Sequence, residues 1–488
     1  MATRKKTATY SFLLNLRPQT VHNIVLNKLK PTGFLLSPAY DTKSILAIAR
    51  ELRTRQKVNL FADNGNFTLV SKICTKYTAR SKVLLKKVHA IEKKNRHYLR
   101  AKELPIGIRK QFQELALAVQ REAEDLCKDG ESDITSQLAM NPSHLIGVED
   151  ITTACWLALN LETSYTGFTT SLFTNKNKRV CKLANARLPK LDKALRPHYY
   201  PVASANSYDT AVNAGKAFGA ARLQSVSMGF GAYMADDNYN DHIVIKGKLH
   251  ELGLSAPNRY TRTVLAARGF WDGYKQAVGK APQAFHFLGL GAPIMMALVS
   301  LCAWGTREIT FDATSPIKDA MQGTLYFYRP SYLKSRTRDL ALRLARGDLS
   351  KWHCSCPFCK DFNAVYPIQY AKGSAWYGAA MAGSEPKVDT KDLSQGGALY
   401  DIYPILSEPK GGARRKAVDF ARMNHNHWVL ANITKELEKH STNYSALKKF
   451  VSDIVSSYCA TTKSEHFAKA IQVGFELSLR TRNRFWKS

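Results

Sequence analysis

Short apolar segments alternate with helical stretches along most of this chain. Residues 33–37 form a short apolar run, residues 42–55 have helical periodicity, and residues 58–62 are again typical of a strand. Strands that alternate with helices favour a parallel sheet in an α/β fold. The second strand runs into a polar loop at residues 63–67, and the carboxyl ends of parallel strands are where such folds carry their chemistry.

Four further apolar segments extend this pattern, and several of them end in glycines or an acid. They occupy residues 155–160, 223–231, 284–289 and 308–312. Repeated units of a strand, a polar loop and a helix predict a (β/α)8 TIM barrel with helical insertions, whose site lies at the carboxyl ends of the strands. Two aspartates follow predicted strands, Asp63 and Asp312, and form a candidate pair of catalytic carboxylates. The alternative is that each caps the next helix.

The charge of the chain changes this picture by indicating a partner. Lysine and arginine total 71 against 39 aspartates and glutamates, which gives a formal net charge of +32. An excess of this size indicates a polyanion, because Lys and Arg displace counterions from a phosphate backbone; a solubility role is the alternative.

The positive charge is most concentrated in residues 72–110, where thirteen residues are Lys or Arg and only Glu92 and Glu103 are acidic. We interpret this segment as a nucleic-acid-binding arm rather than a plain exposed helix pair, because so many like charges repel one another without a polyanion. A second basic loop is predicted to begin at residue 176. The candidate contacts in the two segments are Lys86, Lys87, Lys93, Lys94, Lys176, Lys178 and Arg179.

Three of the nine cysteines lie within six residues, as Cys354, Cys356 and Cys359. Neighbouring thiols at this spacing bridge each other only under strain, whereas one short loop can direct three thiolates at a tetrahedral metal ion. We find no apolar run of eighteen residues and no secretory leader, so we expect a cytoplasmic protein without a membrane span, in a reducing compartment that favours a metal over disulfides.

Several motifs, taken together and in chain order, resemble those of the tRNA-guanine transglycosylases. Residues 311–323 resemble the family's nucleophile motif, with Asp312, Pro316, Ala320 and Gly323 in register without a gap. The other matching segments are residues 63–67, 229–231, 285–293 and the cysteine motif, so that the resemblance covers most of residues 33–430.

The resemblance implies a role for each matching position. Asp312 would attack C1′ of the target nucleotide and form a covalent glycosyl-enzyme, and Asp63 would act as general acid/base. Phe67 would stack on the base, and the backbone around Gly231 would bind its exocyclic oxygen; Asn64 and Phe230 belong to the same base-binding set.

A third recognition acid of the family follows a strand of the form Ala-Leu-Asp. A gapless match puts Asn160 at that position, and Glu162 is the rival because it points to the same side of an extended strand. The two alternatives stay open at the level of sequence.

The resemblance also implies a structural Zn²⁺ held by the three cysteines and a histidine that is followed by asparagine. His425 satisfies that rule, although it lies 66 positions after Cys359, and we interpret residues 362–412 as an enlarged insertion. His427 is the alternative ligand, and His353 is interpreted as a bystander. Four closed ligands leave no open position for catalysis.

Departures from the family pattern favour DNA over tRNA as the polymer. Lys318 stands where the tRNA enzymes carry Arg, and Met321 replaces a second Arg of the same loop. The chain is most similar to the DNA-acting branch, which exchanges guanine in DNA for a 7-deazaguanine base such as preQ0, and in which some members require an accessory ATPase. Lys318 is kept as a candidate nucleic-acid contact. The alternatives are a tRNA-guanine transglycosylase and a non-catalytic, zinc-stabilised nucleic-acid-binding paralogue.

These interpretations divide the chain into five parts. Residues 1–71 begin the barrel, residues 72–150 form a basic helical insertion, and residues 151–345 contain the remaining barrel with its catalytic strands. Residues 346–431 are predicted to be a zinc-binding region with an insertion, and residues 432–488 a helical basic tail.

Overall fold

Eight parallel strands close into one barrel, which confirms the predicted (β/α)8 architecture. In the computed structural model the strands follow the order β1-β10-β9-β6-β5-β4-β3-β2 around the barrel. They span Thr9–Asn15 (β1), Gly33–Leu36 (β2), Asn59–Ala62 (β3), His144–Glu149 (β4), Tyr199–Ala203 (β5), Ser225–Gly229 (β6), Ala284–Leu288 (β9) and Glu308–Asp312 (β10). The structure describes residues 8–486 except 18–19, 22, 38–42, 55–56, 96–98, 100, 131–133, 162–165, 167–169, 206, 231–241, 253–258, 337–353, 363–412, 463 and 481–482.

Two short antiparallel pairs accompany the barrel strands. His242–Ile245 (β7) pairs with Lys248–Glu251 (β8), and Thr324–Tyr326 (β11) pairs with Lys334–Arg336 (β12). The described α-helices are Asn23–Leu29 (α1), Lys43–Thr54 (α2), Asn66–Asn95 (α3), Ile106–Leu126 (α4), Ile134–Ala139 (α5), Ile151–Ala158 (α6), Thr170–Arg187 (α7), Tyr208–Ala220 (α8), Arg259–Val278 (α9), Pro293–Cys302 (α10), Ser315–Met321 (α11), Pro357–Phe362 (α12), Ala413–His440 (α13), Tyr444–Thr461 (α14) and Glu465–Ser478 (α15).

The chain divides into two compact units. The first contains residues 1–16, 31–313 and 434–488, and therefore the whole barrel; the second contains residues 17–30 and 314–433. Helices α14 and α15 belong to the barrel unit, where the Arg480 guanidinium donates to the Trp304 carbonyl and Arg268 donates to the Leu479 carbonyl. Among the described residues, none of the helices combines the length and the apolar character that a membrane crossing needs.

The basic segment forms two long helices, α3 and α4, that pack on each other and on α6. On α3 the buried positions recur at helical spacing, as in Ile73, Tyr77, Leu84 and Val88, so one stripe faces a core shared with α4. Across the helix pair, Glu122 accepts from Lys76 at 2.7 Å and from the Tyr77 hydroxyl at 2.8 Å. The apolar stripe orients α3 and leaves its lysines on the outside.

Two local predictions are wrong. Residues 155–160 are not a barrel strand, because Cys155 lies in α6 and the strand on that side of the barrel is β4. The predicted basic loop that begins at Lys176 is part of the helix α7. The first error has a physical cause: a short apolar run that is buried on every side has no periodicity to distinguish a strand from a helix. The second arose because a run of basic residues was taken for a loop, although lysine and arginine are good helix formers.

Candidate functional site

Asp312 ends strand β10 at the mouth of the barrel and is held there by two contacts. Its Oδ1 accepts a hydrogen bond from the Gly289 backbone N–H at 3.0 Å and lies 3.3 Å from Nε2 of His286. Gly289 has φ 73°, in the left-handed region, where a residue without a Cβ turns most easily. The turn after β9 therefore directs a backbone donor at the carboxylate, and Asp312 itself is buried.

His286 is a residue of this site to which the sequence analysis gave no role. It pairs in register with Thr310 on the neighbouring strand, and its Nδ1 lies 2.8 Å from the Thr310 hydroxyl. The ring is fully buried in the barrel, so its position is set by both strands. Its apolar-flanked position in Phe285-His-Phe287 is a usable signal, because such a histidine must find polar partners inside the barrel.

Asp63 follows strand β3, and its carboxyl group shares the mouth with Asp312. Desolvation, followed by the charge of Asp312, raises the pKa of Asp63 to about 6, against lowering contributions from Ser37, the Asn64 backbone and His286. The backbone N–H of Asp63 donates to the Leu36 carbonyl at 2.8 Å, which continues the hydrogen-bond ladder between β2 and β3. A carboxyl with a pKa near neutrality can hold or release a proton under physiological conditions.

A third carboxyl at the mouth, Glu149, was missed by the sequence analysis. It is the last residue of β4, and desolvation raises its pKa to about 7. Its Oε2 lies 3.4 Å from the side-chain nitrogens of Asn64 and Asn66, which lower the pKa, while the charge of Asp63 raises it. The sequence does contain a signal for this residue, because the apolar run of residues 145–148 predicts a buried strand and is followed directly by two acids.

Asn64 and Asp150, which neighbour these carboxyls, hold the local backbone. The Asn64 side chain donates to the Gly147 carbonyl at 2.9 Å and accepts from the Asn66 backbone N–H at 3.0 Å. Asp150 caps α6 by accepting from the Thr152 N–H at 3.0 Å. Asn64 was predicted to bind the base, and its described contacts are with the end of strand β4, which carries Glu149, and with the start of α3.

The other predicted base-binding residues differ in their exposure and in their position in the fold. Phe67 lies in the first turn of α3 and is 73% exposed, whereas Phe230 is buried and packs on Phe287 with ring centroids 5.3 Å apart. Asn160 follows α6 with φ 55°, between two buried leucines that pack in the α3–α4 core. Its predicted position at the end of a barrel strand is therefore wrong, and Glu149 ends the strand there instead. Glu162 and Gly231 lie outside the described residues.

Most of the predicted nucleic-acid contacts are exposed, but one is not. Lys176 is buried, with its ammonium 3.5 Å from Asp150, 3.6 Å from Glu124 and 5.3 Å from the centre of the Trp156 ring. It neutralises internal acids, so its assignment as a surface contact is wrong. The exposed lysines and arginine of the set are Lys86, Lys87, Lys93, Lys94, Lys178, Arg179 and Lys318.

The second unit contains a cluster of three cysteines and a histidine that could hold a metal ion. The sulfurs of Cys354, Cys356 and Cys359 lie 3.4–3.5 Å from Nδ1 of His425. Metal bonds of about 2.3 Å to sulfur and 2.0–2.1 Å to nitrogen at tetrahedral angles would separate these atoms by roughly 3.5 Å. The four residues therefore fit a tetrahedral ion, and the predicted grouping with His425 is confirmed.

A second contact orients the histidine of this cluster. His425 is fully buried, and its Nε2 lies 2.9 Å from the Tyr326 carbonyl, so that Nε2 carries the proton and Nδ1 presents a lone pair to the sulfurs. The adjacent Asn426 side chain donates to the Pro316 and Thr324 carbonyls and accepts from the Tyr326 N–H. His427 is buried and is not part of the cluster, and His353 lies outside the described residues.

Comparison with known proteins adds no family to this description. No protein-family model matches the chain, and no curated protein matches it significantly.

Proposed function

We propose that this protein is a DNA-guanine transglycosylase, which exchanges guanine in DNA for a 7-deazaguanine base through a covalent intermediate on Asp312. The observation that carries the proposal is the arrangement of carboxyls at the barrel mouth. One carboxylate, Asp312, is held by a backbone N–H and faces a second carboxyl, Asp63, whose pKa is raised to about 6. Two carboxyls with divided roles are what base exchange at a sugar carbon requires.

The first half of the reaction follows from these positions. The free oxygen of Asp312 attacks C1′ of the nucleotide, the bond between C1′ and N9 breaks, and an ester forms between the sugar and Asp312. The electron pair of the broken bond stays on guanine. Asp63, which carries a proton below its pKa of about 6, donates that proton to the departing base.

The second half reverses these events with a different base. The ionised Asp63 accepts the N9 proton of the incoming 7-deazaguanine, and N9 attacks C1′ while the Asp312 ester opens. His286 and the Gly289 N–H hold Asp312 in one orientation through both halves, 3.3 Å and 3.0 Å from its Oδ1. They act as positioning groups, because neither exchanges a bond with the sugar.

Glu149 is the residue we assign to recognition of the base. Guanine and its 7-deaza analogues present a ring N–H beside an exocyclic amine, and a carboxylate can accept from both at once. The two asparagines at its Oε2 leave the second oxygen for such a contact. The exposed ring of Phe67, which begins the helix after Asp63, is suited to stack on a base.

The preference for DNA rests on charge. Eight lysines and arginines on α3 are exposed, and the helix has one acid, Glu92. A continuous basic surface that follows a phosphate backbone supports the extrusion of a base from a duplex, and it predicts binding that weakens steeply with salt. The eight residues are Lys72, Lys76, Arg80, Lys82, Lys86, Lys87, Lys93 and Lys94.

We further propose that the ion in the Cys354, Cys356, Cys359 and His425 cluster is zinc and that its role is structural. Three thiolates and one imidazole are a ligand set that Zn²⁺ prefers, and all four positions of a tetrahedron are filled by protein. When bound, the ion would link helix α12 to helix α13. No step of the base exchange uses it.

The test is a base-exchange assay with two nucleic acids. Purified protein is incubated with labelled guanine or labelled preQ0, together with plasmid DNA or, separately, total tRNA. We expect label in DNA for the wild type and none for Asp312→Ala, which should still bind DNA. Label in tRNA alone would overturn the assignment of DNA as the substrate, but it would still support the base-exchange reaction. Label in neither, with and without an added cell extract to supply an accessory ATPase, would favour a non-catalytic binder.

A matched pair of variants tests the role of the basic helix. Lys86→Ala with Lys87→Ala should weaken DNA binding and reduce the salt dependence of the affinity by about one unit of slope for each lost phosphate contact. The control is Lys435→Ala on α13, outside the basic segment. Equal affinities for the pair and the control would show that α3 does not contact DNA.

A further inference from the structure

The opposite end of the barrel carries a second set of potential ligands. His144 is the first residue of β4, Glu308 is the first residue of β10, and His198 immediately precedes β5. One ligand atom from each of the three lies within 4.8 Å of the others. The amino-terminal ends of the strands bring them together, far along the chain from one another.

The hydrogen bonds of His144 determine which of its nitrogens faces Glu308. The Ser143 hydroxyl lies 2.8 Å from the Leu60 N–H and 3.1 Å from the Leu60 carbonyl, so it accepts from the one and donates to the other. Its remaining lone pair accepts from Nδ1–H of His144 at 2.8 Å. Nδ1 is therefore the protonated nitrogen, and Nε2 of the neutral ring presents a lone pair.

That lone pair faces another acceptor. Nε2 of His144 lies 3.5 Å from Oε1 of Glu308, so with a neutral ring two electron-rich atoms face each other. Such a pair is stable only if a cation bridges it, either a second proton on the imidazole or a metal ion. The choice between the two depends on the third residue.

His198 favours the metal ion. Its ring lies 4.4 Å from the His144 ring, so both imidazoles can direct a nitrogen at one shared ion. The Nδ1 atom of His198 is buried and, among the described residues, makes no hydrogen bond. A shared metal ion uses the lone pairs of both rings together with the Glu308 carboxylate.

We propose that His144, His198 and Glu308 form a second metal site, for a divalent transition ion of the zinc type. Two imidazoles and a carboxylate are a known ligand set for such ions, and bonds of 2.0–2.2 Å would separate tetrahedral ligands by roughly 3.4 Å. The separation between His144 and Glu308 is 3.5 Å, and the ligand atom of His198 lies within 4.8 Å of both, so that it would need to move by at most about 1.4 Å.

The surroundings match those of a ligand shell. Ser143 orients His144, the Tyr200 hydroxyl lies 3.5 Å from Oε1 of Glu308, and the Phe61 ring stacks on His144 at 4.0 Å. All three ligands line an open cavity of about 1080 Å³. The fourth coordination position therefore faces solvent and takes water or an anion, unlike the closed site of three cysteines and His425.

Cobalt titration of the full-length, metal-stripped protein tests this site, because the two sites have different spectra. A thiolate site gives an intense sulfur-to-cobalt charge-transfer band in the near ultraviolet, whereas a site of two histidines and a carboxylate gives only weak visible bands. We expect two cobalt ions per wild-type chain by elemental analysis, and a visible signal that continues to grow after the charge-transfer band has saturated.

Substitutions assign the second ion to its ligands. His198→Ala and Glu308→Gln should each reduce the stoichiometry from two ions to one and leave the charge-transfer band intact, which also reports that the protein has folded. His89→Ala, at an exposed position on α3, is the matched control and should keep two ions. A wild-type chain that binds one ion, all of it reported by the charge-transfer band, would overturn the proposal, as would an unchanged stoichiometry in the two variants.

Discussion

The two ends of one barrel strand, β10, present carboxyl groups with opposite surroundings. Asp312 at the carboxyl end meets a backbone N–H, His286 and the carboxyl of Asp63, whereas Glu308 at the amino end meets two imidazoles and a tyrosine hydroxyl. Both point into the barrel, because residues four apart on a strand share a face. Although both carboxyls stand on one strand, residues of the neighbouring strands determine the surroundings, and so the chemistry, of each.

A layer of rings separates the two ends. Phe61 stacks on His144 with centroids 4.0 Å apart and lies 5.5 Å from His286, and Tyr200 contacts both histidines at 6.0–6.5 Å. These packed side chains lie between His144 and His286, and no described hydrogen bond joins the two histidines. We therefore expect the two ends to respond independently to substitution.

The largest expected effect is at the mouth. Asp312→Asn removes the nucleophile and should reduce base exchange by roughly 10⁴-fold or more, as loss of a covalent nucleophile does in other enzymes. Cobalt stoichiometry at the base of the barrel should be unchanged. The control is Asp453→Asn, an exposed acid on α14. Base exchange that survives in Asp312→Asn would disprove the role of this carboxylate.

The second effect tests the proton carrier. Asp63→Asn should reduce base exchange by about 10²- to 10⁴-fold, the usual contribution of general acid/base catalysis. The pH–rate profile of the wild type should show a limb near pH 6, because desolvation and the charge of Asp312 raise the pKa of Asp63 to about that value. That limb should be absent from the residual activity of the variant. A limb that persists in Asp63→Asn belongs to another group.

A smaller effect concerns stability and distinguishes Glu149 from the exposed acids. Its pKa rises from 4.5 in the unfolded chain to about 7 in the fold, so the folded state favours the protonated form. Wild-type stability should therefore fall as the pH rises from 4.5 to 7, and Glu149→Gln should remove that loss. Since one pKa unit corresponds to about 1.4 kcal/mol and the group is half-buried, we expect the variant to be about 2 kcal/mol more stable at pH 8 than the wild type.

The free energy of unfolding is measured by urea unfolding at pH 5 and pH 8. Hydrogen exchange of the barrel amides is then measured as a second report on the same stability. Asp453→Asn should show no difference between the two pH values relative to the wild type. If Glu149→Gln has the same stability as the wild type at both pH values, the carboxyl is not desolvated in the folded protein.

The smallest effect is expected at the base of the barrel. Binding of an ion to the folded state alone stabilises it by about 1.4 kcal/mol when free metal is tenfold above the dissociation constant. With the site of three cysteines and His425 saturated, His144→Ala should lose this gain. Its base exchange should remain within about twofold of the wild type, since the Phe61 and Tyr200 rings lie between His144 and His286. His89→Ala should keep both properties. A metal-dependent gain that survives in His144→Ala after the site of three cysteines and His425 has been saturated would contradict the proposed ligand set.

The local pattern of the chain determined much of the frame. Strands β2, β3, β6, β9 and β10 were predicted because each is a short apolar run that ends in glycine or a polar loop, and Asp63 and Asp312 were found because each follows such a run. The three cysteines of the metal cluster were also predicted locally, since three cysteines in six residues have few other uses in a reducing compartment, whereas His425 was inferred from the family resemblance.

What the sequence by itself determined is therefore the identity and order of local elements, together with the residues that directly follow them. Only the tertiary structure decided which of these residues meet. Glu149 was hidden by a misplaced strand, Lys176 was taken for a surface residue, and His144, His198 and Glu308 lie up to 164 positions apart in the chain. The physical reason is that periodicity records the burial of a single segment, whereas contacts across the barrel arise when the eight strands close and fix their registers.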